Sequence, residues 1–383
     1  MEIPKWPNCA ASLWPLWILI APIAAVAIGQ VLRADLRIQE FDAPSRLLAA
    51  GLIFSIYSRS NPDFRLRPST AIGLGAVAGA IALYFAIDPT RTALQGGRLT
   101  TKLSWPNDLG AYSGVLLTFL TWILLIQKTT VPWKRALLLG AGGLGIIASI
   151  HVWWHAESRG PWVATVLSLL ILLSIQGVRL YGLKRLITFW ACAGVLIAMT
   201  MAVKDLSPRL TSIVNEPVRW LESRKENSSA GERLSMIVAS GKLISMEPWT
   251  GYGDFGYLKA GCNDEFKLTK YYSRSLCAGS GPHNEVLARG LQSGIWGLLA
   301  TLNLLLVPIV WFGFHLRKFW NSPDIYNPAL LGLTFSINIA LVCMFMEPYS
   351  IKFTATFNAL VLAVLFGEVV AAKRMLDHNG LKS

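Results

Sequence analysis

Three residues of this sequence combine useful chemistry with a distinctive setting: His283, Arg159 and Arg233. A neutral imidazole accepts a proton as a general base, and the ordinary pKa of histidine, about 6.5, suits that role near neutral pH. A guanidinium group binds phosphate oxygens through two parallel N–H donors. These residue types point to a reaction that removes a proton and holds a phosphate.

His283 follows a Gly-Pro pair in the run SGPHNE, which leads into a long apolar segment. Proline is favoured at the first position of a helix, so Pro282 predicts a helix start that places His283 in the first turn. The positive end of a helix disfavours imidazolium, and a general base needs the neutral form. The alternative is a histidine that only caps the helix or hydrogen-bonds at its end.

Arg159 is the only basic residue in a very short connection, ESRGP, between two apolar segments. Arg233 stands near the start of a predicted helix that contains Leu234 and Leu243. Either arginine can bind a phosphate oxygen. The alternatives are an arginine that only sets the membrane topology, or one that faces solvent or lipid headgroups.

Two further motifs hold polar or turn-forming residues. In the run SWPNDLG, Pro106 and Asn107 are good helix-opening residues, and Asp108 at the edge of the helix can contact a sugar or a cation. The run PWTGYG, which contains Gly251, predicts a tight turn. It is not a nucleotide-binding loop, because no strand precedes it and no Lys-Ser/Thr pair follows it.

All of these residues flank apolar segments long enough to cross a membrane. Charged residues make up 15% of the 383 residues and hydrophobic residues 53%, and the mean hydropathy is +0.47. Average soluble domains carry about 25% charged residues. Segments such as Ala136–Trp154 are apolar on nearly every face, as expected of helices in lipid. The sequence therefore predicts an all-α polytopic membrane protein with about ten transmembrane helices.

The predicted spans follow one another along most of the chain. They cover residues 13–32, 44–59, 69–88, 108–126, 136–154, 161–177, 186–203, 292–314, 328–347 and 351–372. We predict a single membrane domain over residues 1–383, with a large extramembrane loop at 204–291 inserted before the last helices. The first apolar stretch lacks a small-residue cleavage site after it, so we interpret it as an anchor.

The short connecting segments divide into two sets that differ in basic residues. The set that includes both termini holds 15 Lys and Arg residues, and the other set holds 7. Because basic residues favour the cytoplasmic side, both termini are predicted in the cytoplasm and the 204–291 loop in the periplasm, outside a bacterial inner membrane. We therefore attribute the net charge of +13 to membrane orientation rather than to nucleic-acid binding.

Cys262 and Cys277 both lie in the predicted periplasmic loop. An oxidising compartment allows them to form a disulfide that closes a small loop, and two free thiols are the alternative. A metal site is not predicted, because no histidine or second cysteine pair lies beside them at ligand spacing.

The motifs, in this order and on this topology, resemble those of the O-antigen ligase and O-antigen polymerase superfamily. The resemblance covers residues 103–305 and is strongest for HNxxL at 283–287 followed by GxxG at 294–297. The WPNDLG, SRG and PxxGxG runs support it. One departure is the pair Gln292-Ser293, since family members commonly carry an acidic residue just before the glycine that matches Gly294.

The resemblance implies a glycosyltransferase-C-like membrane fold and an enzyme of lipopolysaccharide biosynthesis. Such an enzyme moves a glycan from undecaprenyl diphosphate to an acceptor hydroxyl, with no metal, cofactor or nucleotide sugar. It implies that His283 is the base and that Arg159 and Arg233 neutralise the diphosphate. The motif residues that become candidates for substrate binding are Asn107, Asp108, Gly251 and Asn284.

The acceptor stays open at this point. In a ligase it is a sugar of lipid A–core, and in a polymerase it is the terminal sugar of a second lipid-linked repeat. The compact chain, with its one long loop directly before the histidine motif, favours the ligase. The remaining alternative is a non-enzymatic transporter surrounded by membrane lipids. Transporters place ionisable residues mid-span, whereas this sequence concentrates its candidates at span ends.

Overall fold

The computed structural model describes residues 14–59, 67–102, 104–127, 131–185, 187, 190, 215–216, 218, 220–222 and 228–380. The regular secondary structure of these residues is helical. Their one β-type pairing is an isolated antiparallel bridge between Ile87 and Thr101. The predicted all-α fold is therefore confirmed.

Within the described residues, eight helices are long and apolar enough to cross a membrane. They are α1 (Trp14–Arg33), α3 (Pro68–Phe85), α5 (Pro106–Ile126), α6 (Pro132–His155), α7 (Arg159–Tyr181), α11 (Glu285–Lys318), α12 (Pro323–Val342) and α13 (Lys352–Gly380). The shorter or more polar helices are α2 (Asp42–Arg59), α4 (Pro89–Leu94), α8 (Ser229–Met246), α9 (Tyr257–Gly261) and α10 (Asp264–Lys267). These helices confirm the predicted polytopic membrane protein.

Eight of the ten predicted spans correspond to these eight long apolar helices, and two do not. The span predicted at 186–203 lies outside the described residues, apart from positions 187 and 190. The span predicted at 44–59 forms α2, which packs lengthwise against α1 and α13. Its charged ends, Asp42 and Arg59, leave it less apolar than the eight spanning helices.

The centre of the bundle is built from α5, α12 and α13. Buried residues make up 67–78% of the apolar stretches of these three helices. The corresponding share in α3, α6 and α7 is 22–28%, so these helices present apolar faces to lipid. Large side chains such as Trp122, Phe335 and Phe366 are fully buried in the centre.

Residues 228–284, here called the cap, form a small unit on one end of the bundle. Met236 and Leu243 of α8 pack with Tyr257 and with Leu291 of α11 in a separate apolar cluster. Cys262 and Cys277 are joined by a disulfide inside the cap. The cap therefore has its own core and is seated directly on α11.

The cap is fixed where α11 is interrupted. Gly294 has φ +61° and ψ −143°, which breaks the helix. The PWTGYG turn packs into this break, and a Cβ on Gly251 would lie 2.6 Å from the carbonyl oxygen of Gln292. Arg33 of α1 donates from Nη1 to the carbonyl oxygens of Thr250 and Gln292, both at 2.7 Å. The turn, the break and α1 are therefore locked together.

Candidate active site

His283 lies just before α11 rather than in its first turn. The helix begins at Glu285, and Asn284 is its N-cap residue, with Oδ1 accepting a 3.1 Å hydrogen bond from the N–H of Leu287. The prediction that Pro282 opens the helix was therefore wrong, because the Asn284 side chain satisfies a free N–H of the first turn. His283 has φ +48°, a left-handed conformation that is uncommon for any residue other than glycine.

This conformation is held by Glu347, from the connection between α12 and α13. The backbone N–H of His283 donates a 2.9 Å hydrogen bond to Oε1 of Glu347. Among the described residues, no hydrogen bond engages the imidazole ring, which is half-buried. The backbone is therefore held in place while the ring nitrogens stay available for a substrate.

The surroundings of His283 favour its neutral form. Burial, followed by the positive charge of Arg233, lowers the pKa of His283 below its ordinary value of 6.5. Burial, followed by the charge of Glu285, raises the pKa of Glu347 to about 8. Near neutral pH the site therefore holds an imidazole free to accept a proton, beside a carboxyl group that is largely protonated.

Arg233, whose charge acts on His283, lies near two further arginines. Burial, followed by the positive charges of Arg159 and Arg98, lowers the pKa of Arg233. Arg159, the first residue of α7, is 58% exposed and its Nη1 lies 3.7 Å from a carboxylate oxygen of Glu216. Three guanidinium groups held together repel one another, and an anion bound between them would remove that repulsion.

The connection between α12 and α13 joins the arginines to the histidine. Phe345, two residues before Glu347, lies under the guanidinium of Arg233, which is 6.0 Å from the ring centroid. The same ring packs on Gly160, where a Cβ would lie 2.6 Å from Cβ of Phe345. A larger residue at position 160 would displace the ring, so the glycine of the SRG run sets the spacing between α7 and the connection between α12 and α13.

Asn107 links the third arginine to the start of α7. Its Oδ1 accepts hydrogen bonds from Oγ of Ser158 at 2.8 Å and from Nη2 of Arg98 at 3.1 Å. Nε of Arg98 also donates to the carbonyl oxygen of Ala156 at 3.2 Å. Asn107 therefore positions Arg98 and the residue before Arg159.

The other candidate residues have local structural roles. Asp108 is buried, and its Oδ2 accepts a 3.4 Å hydrogen bond from the N–H of Trp105 at the start of α5. Gly251 contacts the break in α11, and Asn284 caps that helix. Roles for these residues in substrate binding stay predictions.

The structure thus brings together His283, Arg159 and Arg233, which the sequence singled out. It adds Arg98, Phe345 and Glu347, which sequence reasoning did not assign to the site. Arg98 was visible as a basic residue of a loop predicted on the same side as Arg159. Local sequence holds no signal for the other two, because their contacts are made with residues far away along the chain.

Two comparisons with known proteins show what this chain is similar to. Residues 144–302 match the family described as O-antigen ligase, a range that includes Arg159, Arg233 and His283. The chain is also 25% identical, over 289 residues, to an uncharacterized protein of Haemophilus influenzae. That match covers 72% of this chain and 66% of the relative, slightly less than two thirds of its length.

Proposed function

We propose that this protein transfers a glycan from undecaprenyl diphosphate to a sugar hydroxyl, a function supported by the match of residues 144–302 to the O-antigen ligase family. The acceptor in this proposal is lipid A–core. The observation that carries the proposal is the grouping of three arginines: Asn107 links Arg98 to the residue before Arg159, and Phe345 links Arg233 to the residue after it. Arg233 in turn acts on the half-buried His283. A diphosphate leaving group needs positive charge, and an acceptor hydroxyl needs a base.

The arginines act on the leaving group. Cleavage of the bond between the anomeric carbon and the diphosphate oxygen leaves the electron pair, and a growing negative charge, on that oxygen. Guanidinium groups already held in place stabilise this charge without reorganising, which is the most effective form of electrostatic catalysis. Their bidentate N–H donors also match the geometry of phosphate oxygens.

His283 acts on the acceptor. The acceptor oxygen attacks the anomeric carbon while its proton passes to a ring nitrogen of His283, so a C–O bond forms as the bond to the diphosphate breaks. Attack from the face opposite the diphosphate inverts the anomeric centre. The imidazolium then releases its proton to solvent, which restores the neutral base.

The membrane arrangement suits a lipid-linked donor. We place the cap and the three arginines on the periplasmic side of the inner membrane, because the connecting segments of that side carry 7 basic residues against 15 on the other. The apolar polyprenyl chain would then remain in the hydrocarbon layer while the diphosphate and the sugars reach the site beneath the cap.

The test uses purified protein and undecaprenyl-diphosphate glycan, with and without lipid A–core. Glycan that appears on lipid A–core, and only when it is present, supports the proposal. Longer lipid-linked glycans formed without lipid A–core would show that the acceptor is a second repeat unit, and the protein would then be a polymerase. Neither product, from protein that is shown to be folded, would reject glycan transfer altogether.

A further inference from the structure

A cavity lies against the segment that leads into His283. It has a volume of about 210 Å³ and is bounded by the cap, the start of α2, α11 and the connection between α12 and α13. Gly281, Pro282 and Glu347 contribute to its wall. None of the three clustered arginines does. The cavity therefore reaches to within one residue of the base without entering the proposed diphosphate site.

The polar groups of this wall keep unused hydrogen-bonding capacity. Asp254 accepts a 2.7 Å hydrogen bond from Nε2 of Gln292 through Oδ1 alone. Among the described residues, no hydrogen bond engages its Oδ2, and none engages the exposed amide of Gln39. Burial, followed by the charge of Glu40, raises the pKa of Asp254. The unused oxygen of Asp254 and the amide of Gln39 can hydrogen-bond to sugar hydroxyls, which both donate and accept.

An aromatic ring stands at the edge of the same cavity. Phe255 is 64% exposed, and its φ of +56° is a conformation that a bulky residue rarely adopts. The ring of Tyr257 lies 6.4 Å from it, centroid to centroid. An exposed ring beside planar carboxyl and amide groups matches the apolar C–H face and the hydroxyl rim of a pyranose.

Other ligand classes fit this wall poorly. The carboxyl groups of Glu40, Asp42 and Asp254 face one arginine, Arg289, which is already paired with Glu285, so the lining residues hold no unpaired positive charge for a phosphate. Within the described residues, no group of three His, Cys, Asp or Glu side chains is arranged to hold a metal ion. A neutral, hydroxyl-rich ligand is the class that satisfies both the polar wall and the ring.

We propose that this cavity binds the acceptor sugar, so that acceptor and donor approach His283 from separate sites. This inference rests on the proposed transfer reaction. It goes further by assigning Asp254, Phe255 and Gln39 to acceptor recognition, with the diphosphate left to the arginine cluster. Because the lining residues of this cavity hold no unpaired arginine, the diphosphate of the donor would bind at the arginine cluster and not at the acceptor position.

The test measures sugar binding apart from catalysis. Calorimetry with the full-length protein uses two lipid-free probes, the core oligosaccharide and the released repeat-unit oligosaccharide. We expect one of them to bind, and to bind about tenfold more weakly to Phe255→Ala and to Asp254→Asn. Leu268→Ala serves as the matched control, because Leu268 is an exposed apolar cap residue that does not line the cavity. Which probe binds identifies the source of the acceptor.

The outcomes separate this inference from the proposed function. Binding of neither probe, or equal binding to wild type and to both cavity variants, overturns the acceptor site. In the transfer assay, the two variants should raise KM for the acceptor about tenfold and leave KM for the donor unchanged. Wild-type protein that binds sugar in this cavity but transfers no glycan would reject the reaction and keep the site.

Discussion

The backbone N–H of His283 and the side chain of Glu347 are joined by a 2.9 Å hydrogen bond across 64 positions of sequence. The bond fixes a left-handed backbone conformation at the residue that we assign as the base. The carboxyl group that accepts the bond is buried, and burial raises its pKa to about 8. The site therefore depends on a residue that does not itself need to contact the substrate.

Removal of the imidazole tests the base assignment. We expect His283→Ala to lower kcat by about 10²–10⁴ at unchanged protein level, because general-base help is worth that much. His378→Ala, at an exposed histidine near the end of α13, is the control and should retain wild-type activity. Full activity in His283→Ala would assign the base elsewhere.

The pH profile of the same reaction reports the state of His283. Because its pKa lies below 6.5, kcat/KM should stay high on lowering the pH through 6.5 and fall only at lower pH. Arg233→Met should move this acid limb towards higher pH, besides lowering activity, since a positive charge that disfavours imidazolium is lost. An acid limb that does not move would separate Arg233 from the histidine.

Arg98 should bind the donor, although no motif marked it. We expect Arg98→Gln to raise KM for the undecaprenyl-diphosphate donor about tenfold, through loss of a charge-assisted hydrogen bond. Arg91→Gln is the matched control from the same region, where Arg91 donates only to the carbonyl oxygens of Thr101 and Lys102. Equal effects of both substitutions would indicate that positive charge attracts the anionic donor in general, and that Arg98 makes no specific contact with it.

Glu347 should make the folded protein less stable as the pH rises. Below pH 4.5 its carboxyl is protonated in both states, and between 4.5 and about 8 only the folded state keeps the proton. Stability from this group is therefore lost through that window. The fall in Tm between pH 5 and 8 should be smaller in Glu347→Gln than in wild type. Glu265→Gln, at an exposed cap residue, should leave the fall unchanged.

Gly160 should tolerate no side chain. A Cβ at this position would lie 2.6 Å from Cβ of Phe345, so Gly160→Ala should cost about 1–3 kcal/mol and lower activity by shifting the ring beneath Arg233. Gly143→Ala in α6 is the control, because nothing lies within 4 Å of the added carbon. Phe345→Gly removes all three contacting atoms, so Gly160→Ala should cost less stability in a Phe345→Gly background than in wild type. An equal cost in both backgrounds would place the strain elsewhere.

Most of the membrane fold was predictable because each span is an apolar block with a clear length. The exception, α2, shows the limit of that reasoning. It has charged ends, and packing against α1 and α13 rather than hydropathy explains its position. The boundaries of the helices were less predictable. For example, α11 begins at Glu285 because the side chain of Asn284 acts as its N-cap, and not because hydropathy changes there.

The active site was predictable only in part. His283, Arg159 and Arg233 stand in short motifs, so local sequence was enough to select them. Phe345 and Glu347 lie at the end of the span predicted at 328–347 and in no motif, and their roles come from contacts with residues far away along the chain. The PWTGYG turn was recognised as a turn, but its insertion into the break of α11 depends on the tertiary fold.

The position of Glu347 in the chain also determines when the site can be completed during translation. A nascent protein that has been translated only through α11 already contains the three arginines and His283. It lacks Glu347, whose carboxyl group fixes the backbone of His283, because Glu347 is translated only after α12. Competence for the reaction is therefore acquired late in synthesis, when membrane insertion of the earlier helices is already under way.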